Sequence, residues 1–581
     1  MVKNLLFYIV FLVLFNTALG QERLLIFSTD SLQLDYRSGG VELDSVDASN
    51  IGNVNLRPAA GFAQLYEFNL AQNLAHSPSG LVYLPNEKRA KVKRTALPYL
   101  GFQYAFGSGL NQAVNVDFHQ YYSEQTHLHF RYHRRTSNGL LRRGAFTLND
   151  VHLLLHHKKE RWRTALDAYY GGYDYEENGG IVSDSLIRDF PIEFTPINNQ
   201  TGNSEVRKID VLWQNYYDMY SDSLISHGFK SRTNYQLNGR EYTETGLNSS
   251  SYENFFIDTS ITRDNYQTTS ISNGAGYFFA SDFFTVDATL NHRYWRYQNL
   301  GYRRDTTELF LHSLLRVGWD RLNLHNTFYF NTLGALGEFY NRTKLHFEPL
   351  KDLVITGGVN FENRLPIPYQ RFHFANNVQW ELDELQTQQI VNLNGRLTYG
   401  QKHKVYAGLN FTTVTNGLFF IDDTWRQDSL GAVSVGDLTL GAEFHLEKWH
   451  FYPKATVRFN TENFNYQPAF SGRTRIVFKS GLFEAKKLIL ALGADLGIDL
   501  GYNHMIYNTL LSVMEPGSPD MVTPNLIRMN FFVATQIDQF RFFVRAENLD
   551  YFVNEQESRI DPNFPITPFI IRLGITWDFF N

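Results

Sequence analysis

Histidine and arginine side chains alternate with apolar ones over residues 127–133, where residue types and spacing could support chemistry. Successive side chains on a β-strand point to opposite faces, so residues two apart share a face. One face here carries His127, His129, Arg131 and His133. Imidazole pairs at this spacing can bind Zn²⁺ or Cu²⁺. The sequence identifies no third element or carboxylate cluster beside them, so we expect neither a metal nor another cofactor.

The same face can instead line a water-filled channel. Arg161 and Arg163, on a second candidate strand, would add to its positive charge. A cationic stripe in a pore favours anionic solutes, as rings of charged side chains do in channels. The alternative is that Asp117, Glu160 and Asp167 neutralise the stripe. The sequence leaves both interpretations open.

Alternation of apolar and polar residues with period two recurs along the chain, for example at residues 114–119 and 286–291. It is clearest at the end, residues 569–581, where large apolar side chains alternate with small or polar ones. Outer-membrane barrels have strands of this kind, with the apolar face against lipid and the polar face toward the lumen. We find no convincing run of helical spacing after residue 20. The sequence therefore predicts an all-β chain.

The N-terminal residues 1–20 have the pattern of a secretory signal peptide. Lys3 supplies the positive charge, Leu5–Phe15 form an apolar run, and Ala18-Leu19-Gly20 fits a cleavage site that makes Gln21 the first mature residue. An uncleaved anchor is the alternative, but the apolar run is too short to cross a membrane as a helix. We expect the chain to leave the cytoplasm.

The composition excludes several classes of protein. None of the 581 residues is cysteine, which rules out a disulfide framework, thiol catalysis and cysteine metal sites. The net charge of −6 gives no electrostatic argument for nucleic-acid binding. Aromatic residues make up 15% of the chain, which suits the aromatic girdles of a membrane barrel. The mean hydropathy of −0.32 is compatible with a barrel because half of the strand residues would face water.

Short polar turns and long polar loops alternate along the chain. The short turns are at residues 157–160, 280–282, 320–321, 399–404, 447–448 and 537–538. The long loops are at roughly residues 174–206, 241–266, 298–306, 415–434, 501–524 and 550–567. Short periplasmic turns and long extracellular loops are typical of outer-membrane barrels. A β-sandwich, with hairpin turns at both ends, would not separate the two lengths so consistently.

Counting strands from about Tyr99 predicts a single large antiparallel transmembrane β-barrel of about 22 strands, within a range of about 16–24. Residues 372–381 are assigned to a loop, because counting them as a strand breaks the alternation of turns and loops. The predicted organisation is a signal peptide at 1–20, an N-terminal periplasmic extension or small plug at 21–98, and the barrel at 99–581.

Four segments resemble a known family. They are Arg134-Arg135-Thr136-Ser137-Asn138-Gly139, Tyr173-Asp174-Tyr175-Glu176-Glu177-Asn178-Gly179-Gly180-Ile181, Phe543-Val544-Arg545-Ala546-Glu547-Asn548-Leu549 and Gly574-Ile575-Thr576-Trp577-Asp578-Phe579-Phe580-Asn581. In these segments and in its layout the chain is similar to the putative-porin family of Bacteroidota outer membranes. The resemblance implies a channel-like barrel in the outer membrane, and it implies nothing about the solute.

We therefore expect a porin-like channel in the cell outer membrane for passive diffusion of small hydrophilic solutes. The alternative is a barrel that acts as a structural or binding component with an occluded lumen. No catalytic constellation is identifiable, so we do not expect an enzyme. Expected partners are outer-membrane lipid and the barrel-assembly machinery, but no nucleic acid, and the barrel is either a monomer or part of a homo-oligomer. That machinery would read an assembly signal at Gly574, Trp577, Phe579 and Phe580.

Overall fold

The computed structural model describes residues 98–580, apart from short gaps. The gaps are residues 109–110, 124, 184, 223, 248–251, 422, 428–430, 461–467, 484–486, 502–504, 517–524, 554–560 and 566–567. The predicted signal peptide at 1–20 and all but the last residue of the predicted extension at 21–98 lie outside the described residues.

Twenty-two strands of the described part form one antiparallel sheet. They are β1 (Tyr99–Gly107), β2 (Asn111–Ser123), β3 (Thr126–Ser137), β4 (Phe146–Lys159), β5 (Trp162–Glu177), β6 (Gly202–Ser221), β7 (Ile225–Thr245), β8 (Ile261–Ser281), β9 (Phe284–Asn299), β10 (Arg303–Trp319), β11 (Leu322–Leu333), β12 (Phe339–Leu350), β13 (Leu353–Arg364), β16 (Gln388–Tyr399), β17 (Lys404–Thr415), β20 (Ala432–Leu446), β21 (Trp449–Asn460), β22 (Phe470–Leu482), β23 (Leu488–Leu500), β26 (Leu526–Ile537), β27 (Phe540–Glu547) and β28 (Ile570–Phe580). Each strand pairs with the next one in this series.

The sheet closes on itself because β28 also pairs with β1. Tyr99 lies opposite Phe580, and Gly107 lies opposite Arg572. Closure removes the sheet edges that would otherwise leave backbone N–H and C=O groups without partners. The prediction of a 22-stranded antiparallel barrel is confirmed.

The two faces of the barrel wall differ in polarity. On β28 the outward-facing Ile571 and Trp577 are exposed, whereas the inward-facing Arg572 and Asp578 are buried. The same contrast holds around the barrel, where large apolar side chains are exposed on the outside. Residues of alternating polarity thus point to alternate faces of each strand.

The connections divide the barrel into two ends, which we name the short-turn end and the long-loop end. The six predicted short turns all lie at the short-turn end, together with the start of β1 and the finish of β28. One predicted long loop is wrong: residues 298–306 contain only a three-residue connection between β9 and β10. The backbones of Asn299 and Tyr302 are hydrogen-bonded to each other there, which extends both strands through residues that had suggested a loop.

Six short strands and the helices lie in the loops at the long-loop end. The strands form three hairpins, β14 (Phe372–Phe374) with β15 (Gln379–Glu381), β18 (Leu418–Ile421) with β19 (Thr424–Gln427), and β24 (Met505–Asn508) with β25 (Val513–Pro516). The helices are α1 (Leu186–Asp189) and α2 (Pro368–Arg371), with single 3₁₀ turns at Ile192–Phe194 and Leu549–Phe552. Residues 372–381 therefore form a loop hairpin outside the barrel sheet, as predicted. Among the described residues no helix is long and apolar enough to cross a membrane.

The barrel is wide. With strands about 4.8 Å apart and tilted by about 40°, 22 strands enclose a diameter of roughly 40 Å. Wall side chains alone cannot fill such a lumen. The strands β6, β7 and β8 have 20, 21 and 21 residues, whereas about 9–11 suffice to cross a bilayer. These strands are therefore longer than a strand needs to be to cross a membrane.

Candidate functional site: the barrel lumen

Much of the inner wall is covered by buried pairs of opposite charge. The buried pairs include Lys230 with Asp287 at 2.5 Å, Arg163 with Asp218 at 2.6 Å, Arg572 with Glu547 at 3.0 Å and Arg528 with Asp499 at 3.0 Å, and Arg475 forms a half-buried pair with Asp495 at 2.5 Å. A buried charge without a partner would cost several kcal/mol, about 3–5 when one member of a pair is removed. The pairing therefore lets the wall carry charged groups that do not face bulk water.

The wall formed by β12 and β16 is different, because its inward-facing cations are exposed. Arg342, Lys344 and Arg396 are all in the exposed class although they point into the barrel. Arg342 is paired with Glu362, and Arg396 lies 3.8 Å from the ring centroid of Tyr406. For Lys344 and Arg396 we find no carboxylate partner in the described part of the chain. This wall therefore borders space that water can enter.

Near the short-turn end, histidine side chains of β2 and β3 come together inside the barrel. His119 lies opposite His129 in the strand register, and their rings stack at 4.0 Å with an interplanar angle of 8°. Asp117 Oδ1 lies 2.5 Å from His129 Nε2 and 3.2 Å from His119 Nε2. Both histidines are almost fully buried, at 0% and 1% exposure. One carboxylate oxygen and two imidazole nitrogens thus converge on one point of the wall.

A second histidine–aspartate pair lies beside this cluster. His152 Nε2 is 2.7 Å from Asp167 Oδ1, and the His152 ring meets the His129 ring edge-on at 5.8 Å. His127 is buried too, with its ring 6.0 Å from that of His119. Polar aromatic side chains therefore cover a continuous patch of the wall.

The residues predicted from sequence to line the lumen lie at different places. His127, His129 and Arg163 are buried on the inner face, and Arg131 and His133 are half-buried there. Arg161 instead lies in the turn before β5, with its side chain exposed. Several of the cations have acidic neighbours: Asp117 contacts His129, Asp218 contacts Arg163, and Asp150 lies 3.3 Å from His133. The positive charge of this face is therefore largely offset.

Sequence reasoning missed the convergence of Asp117 and His119 on the β3 histidines. A signal was present, because Asp117 and His119 alternate with apolar residues just before a short turn. The β2–β3 hairpin places His119 opposite His129 and Tyr121 opposite His127. The register of a hairpin follows from its turn, so the missing element was the position of that turn.

The predicted assembly residues lie on the closing strand. Gly574 faces inward opposite Phe543, and a Cβ at this position would lie 2.3 Å from the phenyl ring. Trp577 is exposed on the outer face and stacks on Phe579 at 4.5 Å. The backbone of Phe580 pairs with Tyr99. The outer face of this strand thus presents an aromatic pair at the short-turn end.

At the long-loop end, loops fold onto inward-facing tyrosines of β7, β8 and β9. These tyrosines are Tyr242, Tyr266 and Tyr297, and they pack in one buried cluster with Tyr369, Phe372, Trp380, Leu418, Phe420, Trp425, Leu510, Leu511 and Val513. We call this set the loop cluster. Its members come from three different loops as well as the wall, so apolar burial holds the loops against the lumen side of the barrel.

The β24–β25 hairpin, residues 505–516, crosses the mouth of the barrel, and we call it the strap. Arg240 of β7 donates hydrogen bonds of 2.6 Å to the carbonyl oxygen of Leu510 and 2.8 Å to that of Thr509. The strap emerges between β23 and β26, and nine strand pairings separate β26 from β7 by the shorter route. In a ring of 22 strands, eleven pairings would be diametrically opposite. The strap therefore contacts a wall that lies nearly opposite the strands between which it is inserted.

A buried polar network fixes the strap on its far side. Glu177 accepts hydrogen bonds from Tyr507 at 3.0 Å and from Ser512 at 3.4 Å, and it lies 3.5 Å from Arg240. Tyr175 is hydrogen-bonded to Ser512 at 2.9 Å. These groups are buried, so each one depends on its partners for hydrogen bonds that water would otherwise supply.

Asn376 attaches a second loop to the β7–β8 connection. Its side-chain oxygen accepts hydrogen bonds from the backbone N–H groups of Ile257 and Asp258 at 2.9 and 2.8 Å. Its side-chain nitrogen donates to the carbonyl oxygen of Asp258 at 2.8 Å and to Thr262 at 3.0 Å. The α2–β14–β15 loop is thus held by hydrogen bonds as well as by the loop cluster.

Comparison with solved structures shows the same barrel in other proteins. The FrpB iron transporter from Neisseria meningitidis (F3-3 variant) is 10% identical, with a TM-score of 0.57, and the alignment covers 84% of this chain and 82% of that one. The siderophore receptor PirA from Acinetobacter baumannii is 8% identical, with a TM-score of 0.56, and the alignment covers 84% of this chain and 81% of that one. The copper transporter OprC is 10% identical, with a TM-score of 0.58, and the alignment covers 83% of this chain and 80% of that one. At these identities the likeness establishes the fold alone.

Comparison at the level of sequence identifies the family. No curated protein matches the chain. A family model described as "Putative porin" matches residues 19–581, which is nearly the whole chain. That description, together with a closed barrel that is apolar outside, points to the outer membrane. On this match the chain belongs to the putative porin family.

Proposed function

We propose that the protein is an outer-membrane channel through which small hydrophilic solutes diffuse passively. The solute would pass along the inner wall without a cofactor and without covalent chemistry. The short-turn end would face the periplasm and the long-loop end the cell exterior, as in other outer-membrane barrels.

The observation that carries this proposal is the exposure of Lys344 and Arg396 on the inner face. A charged side chain that points into a barrel is exposed only where the lumen leaves room for water. An apolar solute would gain nothing from such a lining, whereas a hydrated one loses little on entering it.

A second candidate function is a structural or binding component with an occluded lumen. The strap favours this function, because it lies at the long-loop end against a wall nearly opposite its point of insertion and is held there by buried hydrogen bonds. Residues 21–97, outside the described part, are a further segment that would fill the lumen in this case. The two candidates differ in whether current passes through the protein.

The assembly partners follow from the outer surface. Exposed apolar side chains would contact lipid, and the outward-facing Trp577 and Phe579 at the end of the chain would be read by the barrel-assembly machinery. A single barrel is sufficient for the proposed pathway, and a homo-oligomer would carry one pathway in each copy.

Conductance of the purified full chain in planar lipid bilayers tests the proposal. Stable stepwise currents are expected from the wild-type protein, with larger steps after the strap is replaced by a short Gly-Ser linker. Replacement of residues 334–338, a loop outside the loop cluster, with the same linker serves as the matched control and should leave the step size unchanged.

The absence of current has a definite meaning in this design. If neither the wild-type protein nor the strap-replaced variant conducts, and deletion of residues 21–98 also fails to open a path, the channel proposal is wrong. The occluded binding component would then be the better account. Folding of each variant is checked by its heat-dependent mobility in detergent gels.

A further inference from the structure

We propose that the lumen wall binds one divalent transition-metal ion through Asp117, His119 and His129. This site goes beyond the proposed channel, because neither passive diffusion nor the barrel fold requires a metal. The ion would be of the borderline class that prefers imidazole and carboxylate ligands, such as Zn²⁺ or Cu²⁺.

The geometry brings three suitable donor atoms together. Asp117 Oδ1 and the Nε2 atoms of His119 and His129 all lie within 4.8 Å of one another. Donor atoms bound to a common Zn²⁺ at about 2.0–2.1 Å sit roughly 3.3 Å apart in a tetrahedral arrangement. The Asp117–His119 distance of 3.2 Å already fits, and the 2.5 Å contact between Asp117 and His129 would have to lengthen slightly. Forming the site therefore requires the Asp117–His129 contact to lengthen by about 0.8 Å and the two stacked rings to turn until both Nε2 lone pairs face the ion.

Several buried ring nitrogens of the cluster lack a hydrogen-bond partner. His119 Nδ1 and both ring nitrogens of His127 have no hydrogen-bond partner among the described residues, although both rings are 0–1% exposed, and His119 Nε2 has only its 3.2 Å contact with Asp117. A buried polar atom without a partner costs about 1–3 kcal/mol. Buried imidazole nitrogens without hydrogen-bond partners therefore destabilise the wall if the histidines have only a structural role. A bound metal ion would give the Nε2 lone pair of His119 a direct partner.

The surroundings can complete the coordination. His127, 6.0 Å from His119 ring to ring, supplies a further imidazole, and water can take a remaining position. The Asp167–His152 pair packs against the edge of His129 and limits how that ring can turn. The site has one carboxylate, so a divalent ion would leave it with a net positive charge inside the lumen.

Zn²⁺ binding to the full chain, purified without a histidine tag and stripped with EDTA, tests the site. Isothermal titration calorimetry with ZnCl₂ should show one ion bound per chain. Each of H119Q and D117N should weaken binding at least tenfold, and H119Q/H129Q should abolish it. A double variant that binds Zn²⁺ like the wild type would overturn the proposal, as would a wild-type protein that binds none.

Two controls address other histidines. H346Q alters an exposed histidine that pairs with Glu348 at 2.9 Å, and it should not change binding. H445Q/H450Q alters a histidine pair with its Nδ1 atoms 2.9 Å apart on β20 and β21, and it should also leave the stoichiometry at one. Loss of the ion in H445Q/H450Q with retention in H119Q/H129Q would place the metal at that pair and reject the proposed site.

Cysteine substitution separates ligation from structure. The chain contains no cysteine, so H129C introduces a single thiol, which is itself a Zn²⁺ ligand. Binding retained in H129C but lost in H129Q is expected of a metal ligand. Equal loss in both, with both variants folded, would mean that His129 acts through packing. For variants that fail to fold, electron paramagnetic resonance of Cu²⁺ on the wild-type protein decides, since two nitrogen ligands are expected and a spectrum without nitrogen coupling rejects the site.

Discussion

The guanidinium group of Arg240 and the carbonyl oxygen of Leu510 are joined by a 2.6 Å hydrogen bond across the mouth of the barrel. Arg240 lies on β7, whereas Leu510 belongs to the strap between β23 and β26, nine strand pairings away. A single buried side chain thus ties two nearly opposite walls together. The strap is thereby held in place at the long-loop end of the lumen.

Replacement of Arg240 by glutamine should release the strap. The variant loses the bonds to Thr509 and Leu510 and leaves Glu177 buried without its cation, at a cost of about 3 kcal/mol to strap docking. Amide hydrogen exchange over residues 505–513 should rise, and the conductance step should increase. R263Q, which removes an arginine with a 71% exposed side chain on β8, is the control and should change neither. Unchanged exchange in R240Q would show that the loop cluster alone holds the strap.

Acidification should loosen the loop cluster through His373. Burial, with a further contribution from nearby Arg240, lowers the pKa of His373 to about 3. The ring stacks on Trp380 at 4.5 Å and contacts Tyr369, and neither of its nitrogens has a hydrogen-bond partner among the described residues. In an undocked loop, the side chain of His373 would have the usual histidine pKa of about 6.5.

The sign of the pH effect follows from these two values. Between about pH 6.5 and 3 the undocked loop binds a proton that the docked loop does not, so docking is fully stable above pH 6.5 and weakens as the pH falls. At pH 5 the docked loop has lost about 2 kcal/mol of docking free energy relative to pH values well above 6.5. Hydrogen exchange over residues 368–381 should therefore increase from pH 7.5 to pH 5, after correction for the intrinsic rate. H373F removes the titrating ring without losing a hydrogen bond, so it should abolish this pH dependence of hydrogen exchange. H346Q should leave the pH dependence unchanged.

Charge selectivity should depend on the exposed wall of β12 and β16. K344Q/R396Q should shift the reversal potential in a salt gradient toward cation preference, because it removes two exposed positive charges from the lumen. The comparison variant, R131E/R161E, alters the face on β3 and the turn before β5, where acidic neighbours offset much of the charge. An equal or larger shift in R131E/R161E would assign selectivity to that face instead.

Gly574→Ala should destabilise the closing strand. The new Cβ would lie 2.3 Å from the ring of Phe543 across the strand pair, an overpacking that typically costs about 1–3 kcal/mol. The urea midpoint should fall, and F543L in the same chain should restore part of it. G395A, at a barrel glycine with no atom within 4 Å of the added Cβ, should have little effect. Equal destabilisation by both substitutions would mean that Phe543 is not the cause.

The sequence predicted the barrel well because its signals are local. Alternation over a single strand such as Ile570–Phe580 fixes which side chains point outward, and a two-residue connection such as Asp320-Arg321 fixes the direction of the next strand. The assignment of residues 372–381 to a loop followed from the same counting. The failure at residues 298–306 has a local cause as well, since the hydrogen bonds between Asn299 and Tyr302 cannot be read from polarity.

The site residues were predictable only in part. Placing His127, His129, Arg131 and His133 on one face needed only the period of a strand. Their neighbours on adjacent strands depend on register, which one misplaced turn residue would shift. The pairing of Arg163 with Asp218, 55 positions along the chain, could not be found from spacing, and it changes the charge of the predicted stripe.

By itself the sequence determined the strand period, the number of strands and the polarity of the two faces, because these depend on contacts between residues near one another in the chain. Tertiary structure alone decided that the strap reaches Arg240. Closure of the barrel brings positions hundreds of residues apart within hydrogen-bonding distance, and no local pattern encodes that distance. How far the lumen is open at its mouth is therefore a property of the closed barrel.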